Sequence, residues 1–207
     1  MLLNDKAPTV FVIDDEPSIR KAIARSLGAA GLTVTTFSSA QEYLEHYEPD
    51  APGCLILDLA MPGCSGLDLQ QALADRGGEP PIIFLSGHAH VFESVQAMKH
   101  GAVEFLTKPI EDVVLIDAVR KAFEKDRLDR LTRAELAGIK KRLMILTPRE
   151  TQVLGYVIAG KLNKQIAADL GTVEKTIKVH RARVMEKMQV KSVAELVRLT
   201  VQVGVRF

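Results

Sequence analysis

The sequence predicts a chain in two parts: a doubly wound sheet of five parallel strands in front, and an all-α domain behind. Three observations carry this reading. Short apolar runs alternate with helical patterns five times across residues 1–124 and then stop. A charged, proline-free stretch follows, and after it come four helical patterns with caps and glycine stops. The charge changes sign along the same line. Residues 1–124 hold 9 Lys/Arg against 18 Asp/Glu, a net of −9, while residues 125–145 carry +4 and residues 146–207 carry +6, within a chain whose total is only +1. An acidic front and a basic back predict two domains with different partners, nucleic acid being the natural one for the second.

The elements follow in order. "TVFVI" (9–13) reads as a buried strand and leads into a helix through Ile19, Ile23, Ala24 and Leu27 that closes at Gly31. "TVTTF" precedes "AQEYLEHY". "CLILD" runs through a Pro/Gly-rich loop into "LDLQQALAD". "PIIFLS" precedes "VFESVQAMKH". "VEFLT" runs into Lys108-Pro109 and "DVVLIDAVRKAFEK". Five such units in series predict a parallel sheet with helices on both faces, whose ligands sit beyond the carboxyl ends of the strands. The boundaries are 1–124 for the sheet domain, 125–145 for a helical linker with Leu128, Leu131, Leu136, Ile139 and Leu143 along a rough stripe, and 146–207 for the all-α domain.

Composition narrows the function classes. Hydrophobic residues make up 47% and the mean hydropathy is +0.08, as in a globular chain, and no apolar run approaches the ~20 residues of a membrane span. "MLLNDKAPTV" lacks the basic and apolar regions of a signal peptide, so a cytoplasmic chain without membrane contact is expected. Cys54 and Cys64 fit no metal or redox spacing and read as free thiols.

One edge of the sheet collects the informative polar residues. Asp14 and Asp15 end the first strand, Asp58 the third, Ser86 the fourth and Lys108 the fifth. Each has an ordinary alternative: helix-start acids for the first two, turn chemistry for Asp58 and Ser86, a loop residue for Lys108. Four strand ends in agreement favour a site. Three converging carboxylates repel one another and raise each other's pKa unless a cation intervenes. A hard divalent ion with oxygen ligands is the remedy, and Mg²⁺ takes one or two carboxylates with waters and phosphate oxygens; Mn²⁺ could substitute. Lys108 adds a positive point charge and Ser86 a hydroxyl donor. The expected chemistry is phosphoryl transfer, where positioning and charge neutralisation supply most of the catalysis.

"VIDDEP", "LILDLAMPGCSG", "FLSGHAHV" and "GAVEFLTKP", in this order and spacing, resemble the receiver domains of two-component response regulators over residues 8–124. The resemblance implies a flavodoxin-like sheet of strand order 2-1-3-4-5. It implies Asp58 as the acceptor of phosphate from a sensor histidine kinase, with Mg²⁺ held by Asp14, Asp15, Asp58 and the backbone carbonyl of Ala60. Lys108 would contact the phosphoryl group, Ser86 would swing toward it, Phe105 would be the aromatic switch, and the Lys108-Pro109 bond would be cis. Ser86 stands where Thr is commoner, and Ala60 places no side chain beside the phosphate. His88 and His90 are expected to be exposed loop residues.

The basic segment carries a second signal. Thr147-Pro148 with Glu150 reads as a capping box opening a helix through Val153, Leu154 and Val157 to Gly160. Asn163 is expected to cap the next helix, with Ile166, Ala167 and Leu170 inward and Gly171 as its stop. A long helix over 173–188 then places Val173, Ile177, Val184 and Met188 inward and Glu174, Lys175, Lys178, Arg181 and Arg183 mostly outside. Helix, glycine turn and longer helix make a helix-turn-helix, and the division of faces suits a helix entering the major groove.

Thr147, Arg149-Glu150, Leu154, Gly160, Asn163-Lys164, Ile166-Ala167, Leu170 and Thr176-Ile177-Lys178-Val179-His180 resemble the LuxR/FixJ/NarL-type DNA-binding domain over residues 146–203. By that resemblance Lys178, Val179 and Ala182 face base edges. Lys164, Lys175, Thr176, His180, Arg181 and Arg183 are expected at phosphates or in mixed contacts. The two resemblances together imply a phosphorylation-dependent regulator that binds promoter DNA as a homodimer. It would act with RNA polymerase, as a σ⁷⁰-dependent activator; separately, the opposite net charges would let the acidic domain shield the basic one, an effect that salt should weaken. It is not expected to be an enzyme beyond Mg-dependent self-phosphorylation and slow self-dephosphorylation. Two rival readings compete with this one. An aspartyl-phosphate phosphatase of the haloacid-dehalogenase type needs two Asp two residues apart on one strand, a spacing "IDDEP" lacks. A receiver acting only through protein contacts would leave the basic domain without DNA.

Overall fold

The computed structural model describes residues 6–87 and 91–205, so the expectation for His88 and His90 lies outside the described residues. The chain divides into two compact units, residues 1–129 and 130–207. In the first, strands β1 (Thr9–Ile13), β2 (Thr33–Phe37), β3 (Gly53–Asp58), β4 (Ile82–Ser86) and β5 (Glu104–Thr107) alternate with helices α1 (Pro17–Ala29), α2 (Ala40–Glu45), α3 (Gly66–Asp75) and α4 (Val91–Lys99). All pairings are parallel and the order is β2-β1-β3-β4-β5, as the resemblance implied.

Alternation along the strands explains the two layers of helices. Val10, Val12, Cys54, Ile56, Ile83 and Leu85 face one side, packed against Ile23 and Leu27 of α1 and Leu115, Val119 and Ala122 further along the chain. Ile13, Leu55, Leu57, Ile82 and Phe84 face the other, against Tyr43, Leu69, Leu73 and Ala97 of α2, α3 and α4. β3 and β4 are buried along their whole length, which accounts for their nearly unbroken apolar sequences. Gly66 opens α3 where the helix presses on the end of β3: a Cβ there would lie 2.5 Å from the Asp58 carbonyl oxygen and 2.9 Å from Phe84 Cε1.

Residues 125–144, expected as a helical linker that could continue the preceding helix, lie within one helix. Helix α5 runs without interruption from Asp112 to Met144. Asp126 is buried in the first unit and accepts the Gly53 N–H at 3.1 Å, whereas Leu128 and Leu131 remain largely exposed. At the other end Ile139 is fully buried in the core of the second unit, and Leu143 packs against that core.

The second unit continues with α6 (Pro148–Ile158), α7 (Asn163–Asp169), α8 (Glu174–Met188) and α9 (Val193–Gln202). The capping box at Thr147 and Glu150 forms as expected. Two expectations are corrected. Asn163 does not cap α7: Leu162 holds the cap position, its N–H bound to the Gln165 side chain at 2.8 Å, and the Asn163 amide oxygen instead accepts from Arg181 at 3.0 Å. Val173 does not point inward; it precedes the first turn of α8, where the helical spacing does not yet apply, and it is 64% exposed. Ile177, Val184 and Met188 are fully buried as predicted.

Glu150 joins the ends of two helices. Its carboxylate closes the cap on α6 and lies 2.6 Å from Lys187 Nζ near the end of α8. The Lys187 ammonium and the Thr147 N–H hold its pKa down to about 2. Because the folded value is depressed, this contribution to stability is complete above the ordinary glutamate range and is lost as pH falls from there toward 2. Glu150→Ala is expected to destabilise the helical unit by about 1–2 kcal/mol at pH 7. The difference from wild type should shrink in acid, measured by hydrogen exchange of the α6 and α8 amides.

Candidate functional site

The parallel register brings four strand ends level. Ile13 pairs with Leu57, so Asp14 and Asp58 leave adjacent strands side by side. Ser86 pairs with Thr107, and the Lys108 N–H continues the ladder to the Ser86 carbonyl at 2.8 Å. A cis Lys108-Pro109 bond follows.

At this edge Lys108 Nζ lies between two carboxylates, 2.7 Å from Asp14 Oδ2 and 2.5 Å from Asp58 Oδ1. Each carboxylate spends its other oxygen on a backbone N–H: Asp14 Oδ1 accepts from Glu16 at 2.8 Å, and Asp58 Oδ2 from Ala60 at 3.0 Å. Asp14, Asp58 and Ser86 are all buried. One ammonium therefore serves two anions. Burial raises the Asp58 pKa above the usual aspartate range; Lys108 opposes the rise and Asp14 adds to it. Burial alone would lower the Lys108 pKa, but the two carboxylates outweigh it and raise the value.

An uncompensated negative charge among oxygen donors fits a hard divalent cation that completes its shell with water and phosphate oxygens. Among the described residues no three His, Cys, Asp or Glu side chains gather closely enough to hold a metal ion, so the expected trio of carboxylates is not drawn together; Asp15 is exposed at the rim. Phe105 is partly buried and stacks on Phe84 with centroids 6.4 Å apart. Arg20, which the sequence did not single out, donates a hydrogen bond to the Asp14 carbonyl oxygen from the first turns of α1. No motif marks that residue, because its partner is backbone.

In the second unit α8 sorts its faces. Lys175, Lys178, Val179, Ala182 and Arg183 are exposed, as is Lys164 on α7, while Thr176, His180 and Arg181 are partly buried. Positions 175, 178, 179 and 182 follow three- and four-residue spacing and so share one side of the helix. Lys178 is 3.1 Å from Glu174, and Arg181 is tied to Asn163, so these two cations are already engaged within the unit. Arg149, at the start of α6, donates to the Leu170 carbonyl at 2.8 Å and holds the turn before α8.

Because Asp58 is more easily protonated in the folded protein, its ionisation costs stability as pH rises above the ordinary aspartate range. Asp58→Asn removes that cost and leaves Lys108 paired one-to-one with Asp14. The variant is expected to be more stable than wild type at pH 7, with the advantage shrinking toward pH 4, in denaturant titrations read on hydrogen exchange of the sheet.

Comparison with known proteins agrees with both halves. The chain matches the response regulator receiver domain over residues 10–120 and the bacterial regulatory proteins of the luxR family over residues 144–200. It is 43% identical to nodulation protein W of Bradyrhizobium diazoefficiens over 196 residues, covering 95% of this chain and 86% of that protein. It is 42% identical to the transcriptional regulatory protein FixJ of Rhizobium meliloti over 197 residues, covering 95% and 96% respectively. Among solved structures, the response regulator StyR superposes with a TM-score of 0.85 at 43% identity, over 95% of this chain and all of that one. Family matches over both units, and relatives above 40% identity along nearly the whole chain, agree with the strand-end pocket and the helix-turn-helix: the chain belongs to the two-component response regulators that pair a receiver domain with a LuxR-type DNA-binding domain.

Proposed function

We propose that Asp58 accepts a phosphoryl group from a sensor histidine kinase and that this event controls promoter binding by the second unit. The observation that carries the reading is Lys108 Nζ shared between Asp14 and Asp58 at the buried edge of the sheet. Receiver domains bind Mg²⁺ at this position. Here Asp14, Asp58 and the Ala60 carbonyl would hold the ion, and Asp15, exposed at the rim, would have to turn inward to join them. When bound, it supplies the positive charge that lets a phosphoryl dianion approach carboxylates.

The chain's own groups do the rest. One Asp58 oxygen attacks phosphorus as the bond to the donor nitrogen breaks, and the negative charge moves outward from the carboxylate to the phosphoryl oxygens. Lys108 loses an anionic partner at Asp58 and gains one in the phosphoryl group. Ser86, buried at the end of the neighbouring strand, donates its hydroxyl to a second phosphoryl oxygen. Movement toward the phosphate at Ser86 opens room beside β5, into which the half-buried Phe105 turns. The surface formed by α4 and the start of α5, with Phe92, Val95 and Val113 exposed, changes with it and pairs with a second copy. The two DNA-binding units then occupy half-sites about one helical turn apart. The receiver itself is no enzyme beyond forming and slowly hydrolysing its own acyl phosphate. The dimer acts with RNA polymerase in the cytoplasm, as an activator.

Binding to a duplex selected from a random-sequence pool, measured with and without acetyl phosphate and Mg²⁺, tests the switch. Wild type should bind at least several-fold tighter after treatment, and Asp58→Asn should not respond. An Asp58→Asn protein that responds like wild type contradicts the mechanism. On the DNA side, Lys178→Ala should cost roughly 1–3 kcal/mol of discrimination between selected and random duplexes. Arg183→Ala should instead weaken both and lower the salt slope by about 0.9. Equal losses on both duplexes for both variants would count against Lys178 as a base reader.

A further inference from the structure

We propose that Arg142 is a positioning residue for DNA recognition: from the last turn of α5 its guanidinium holds the C-terminal end of α8, so the working DNA-binding unit starts upstream of the segment that matches the luxR family. The inference rests on the reading of α8 as the recognition helix.

Met188 is the last residue of α8, and Gln189 follows it in the left-handed conformation with φ 56°. The final carbonyls of a helix lack partners within it. Two are satisfied locally, because the N–H groups of Gln189 and Val190 return to Glu186 and Met185. The Met188 carbonyl takes a hydrogen bond from Arg142 at 2.9 Å. The donor comes from 46 residues away in sequence, carries a full positive charge, and sits where the helix dipole is negative.

The segment that presents Arg142 is itself packed in place. Ile139, one turn earlier on the same side of α5, is fully buried in one core with Ile177, Val184 and Met188, and Leu143 packs against that core. Lys187 adds a second tie, donating to the Ile145 carbonyl at 3.1 Å and to Glu150 at 2.6 Å. Residues 139–150 therefore grip the end of α8, while the Arg181–Asn163 bond fixes its middle. A reading helix has to place its side chains within about 0.5 Å of productive geometry. Freeing one end lets it pivot about the other tie and shifts Lys178 and Val179 against the bases.

The test uses the full chain, wild type and with Arg142→Ala, Arg142→Lys, Lys141→Ala or Lys178→Ala, at a temperature where circular dichroism shows each fully folded. Affinity is measured over a series of salt concentrations for the duplex selected by wild type and for unselected random duplexes. Arg142→Ala should lower the selected-to-random ratio roughly fivefold, the low end of what one base contact is worth. Its salt slope should stay as in wild type. Arg142→Lys should restore most of the ratio, and Lys141→Ala, which removes a neighbouring exposed charge, should leave it alone. If both affinities fall together with a slope smaller by about 0.9, Arg142 is a phosphate contact and the proposal is overturned. An unchanged ratio beside a lowered melting temperature overturns it too, as a purely structural role. Lys178→Ala separates the premises: a ratio it leaves intact defeats α8 as the reader, whereas a ratio lowered by Lys178→Ala but not by Arg142→Ala defeats the positioning role alone.

Discussion

One buried ammonium shared by two buried carboxylates governs the first half of this protein. Lys108 reaches Asp14 and Asp58 only because parallel pairing brings the ends of β1, β3, β4 and β5 to one level. The backbone N–H groups of Glu16 and Ala60 fix the remaining carboxylate oxygens, so neither acid can turn away. An apolar replacement of similar volume would commonly be as stable as a buried ionic group of this kind. Burial is the main cause of the upward shift at Asp58, so one of the two acids is the less readily ionised. A fold that keeps such an imbalance at the carboxyl edge of its sheet leaves room for something that changes the balance, and the phosphoryl group and cation proposed above would do so.

The second unit solves a different problem with similar means. Its cations play two parts, and Lys178, exposed yet 3.1 Å from Glu174, stands between them. Arg142, Arg149, Arg181 and Lys187 are bound to carbonyl or side-chain oxygens within the unit and hold α8 from several sides. Lys164, Lys175 and Arg183 stand exposed. A net charge alone does not distinguish these roles. Ordering the helix and meeting a phosphate backbone both call for arginine and lysine, and only their partners tell them apart.

Much of this was legible in the sequence, for physical reasons that also mark where legibility ends. The strands of the sheet announce themselves because β3 and β4 are buried on both faces and must be apolar throughout. The meeting of Asp14, Asp58 and Lys108 was readable because they are unlike charges at the ends of such runs, whereas Asp15, expected with them, stands exposed at the rim. The capping box at Thr147 was readable because its partners lie three residues apart. Asn163 misled because its type suits a cap, while a tertiary partner, Arg181, claims its side chain. Val173 misled because a spacing rule was carried one residue past the start of a helix. That residues 125–145 could carry on the preceding helix was readable from their composition, but their anchors were not: Asp126 meets Gly53 and Arg142 meets Met188, contacts that span 73 and 46 residues and leave no local pattern.

The most direct measurement of the central claim is the mass of the intact chain after exposure to acetyl phosphate and Mg²⁺, with the modified site trapped by borohydride reduction and mapped on peptides. The account predicts a single phosphoryl group, dependent on the divalent ion, located on Asp58. A chain that gains no phosphoryl group, or gains one without the ion or at another residue, would contradict it.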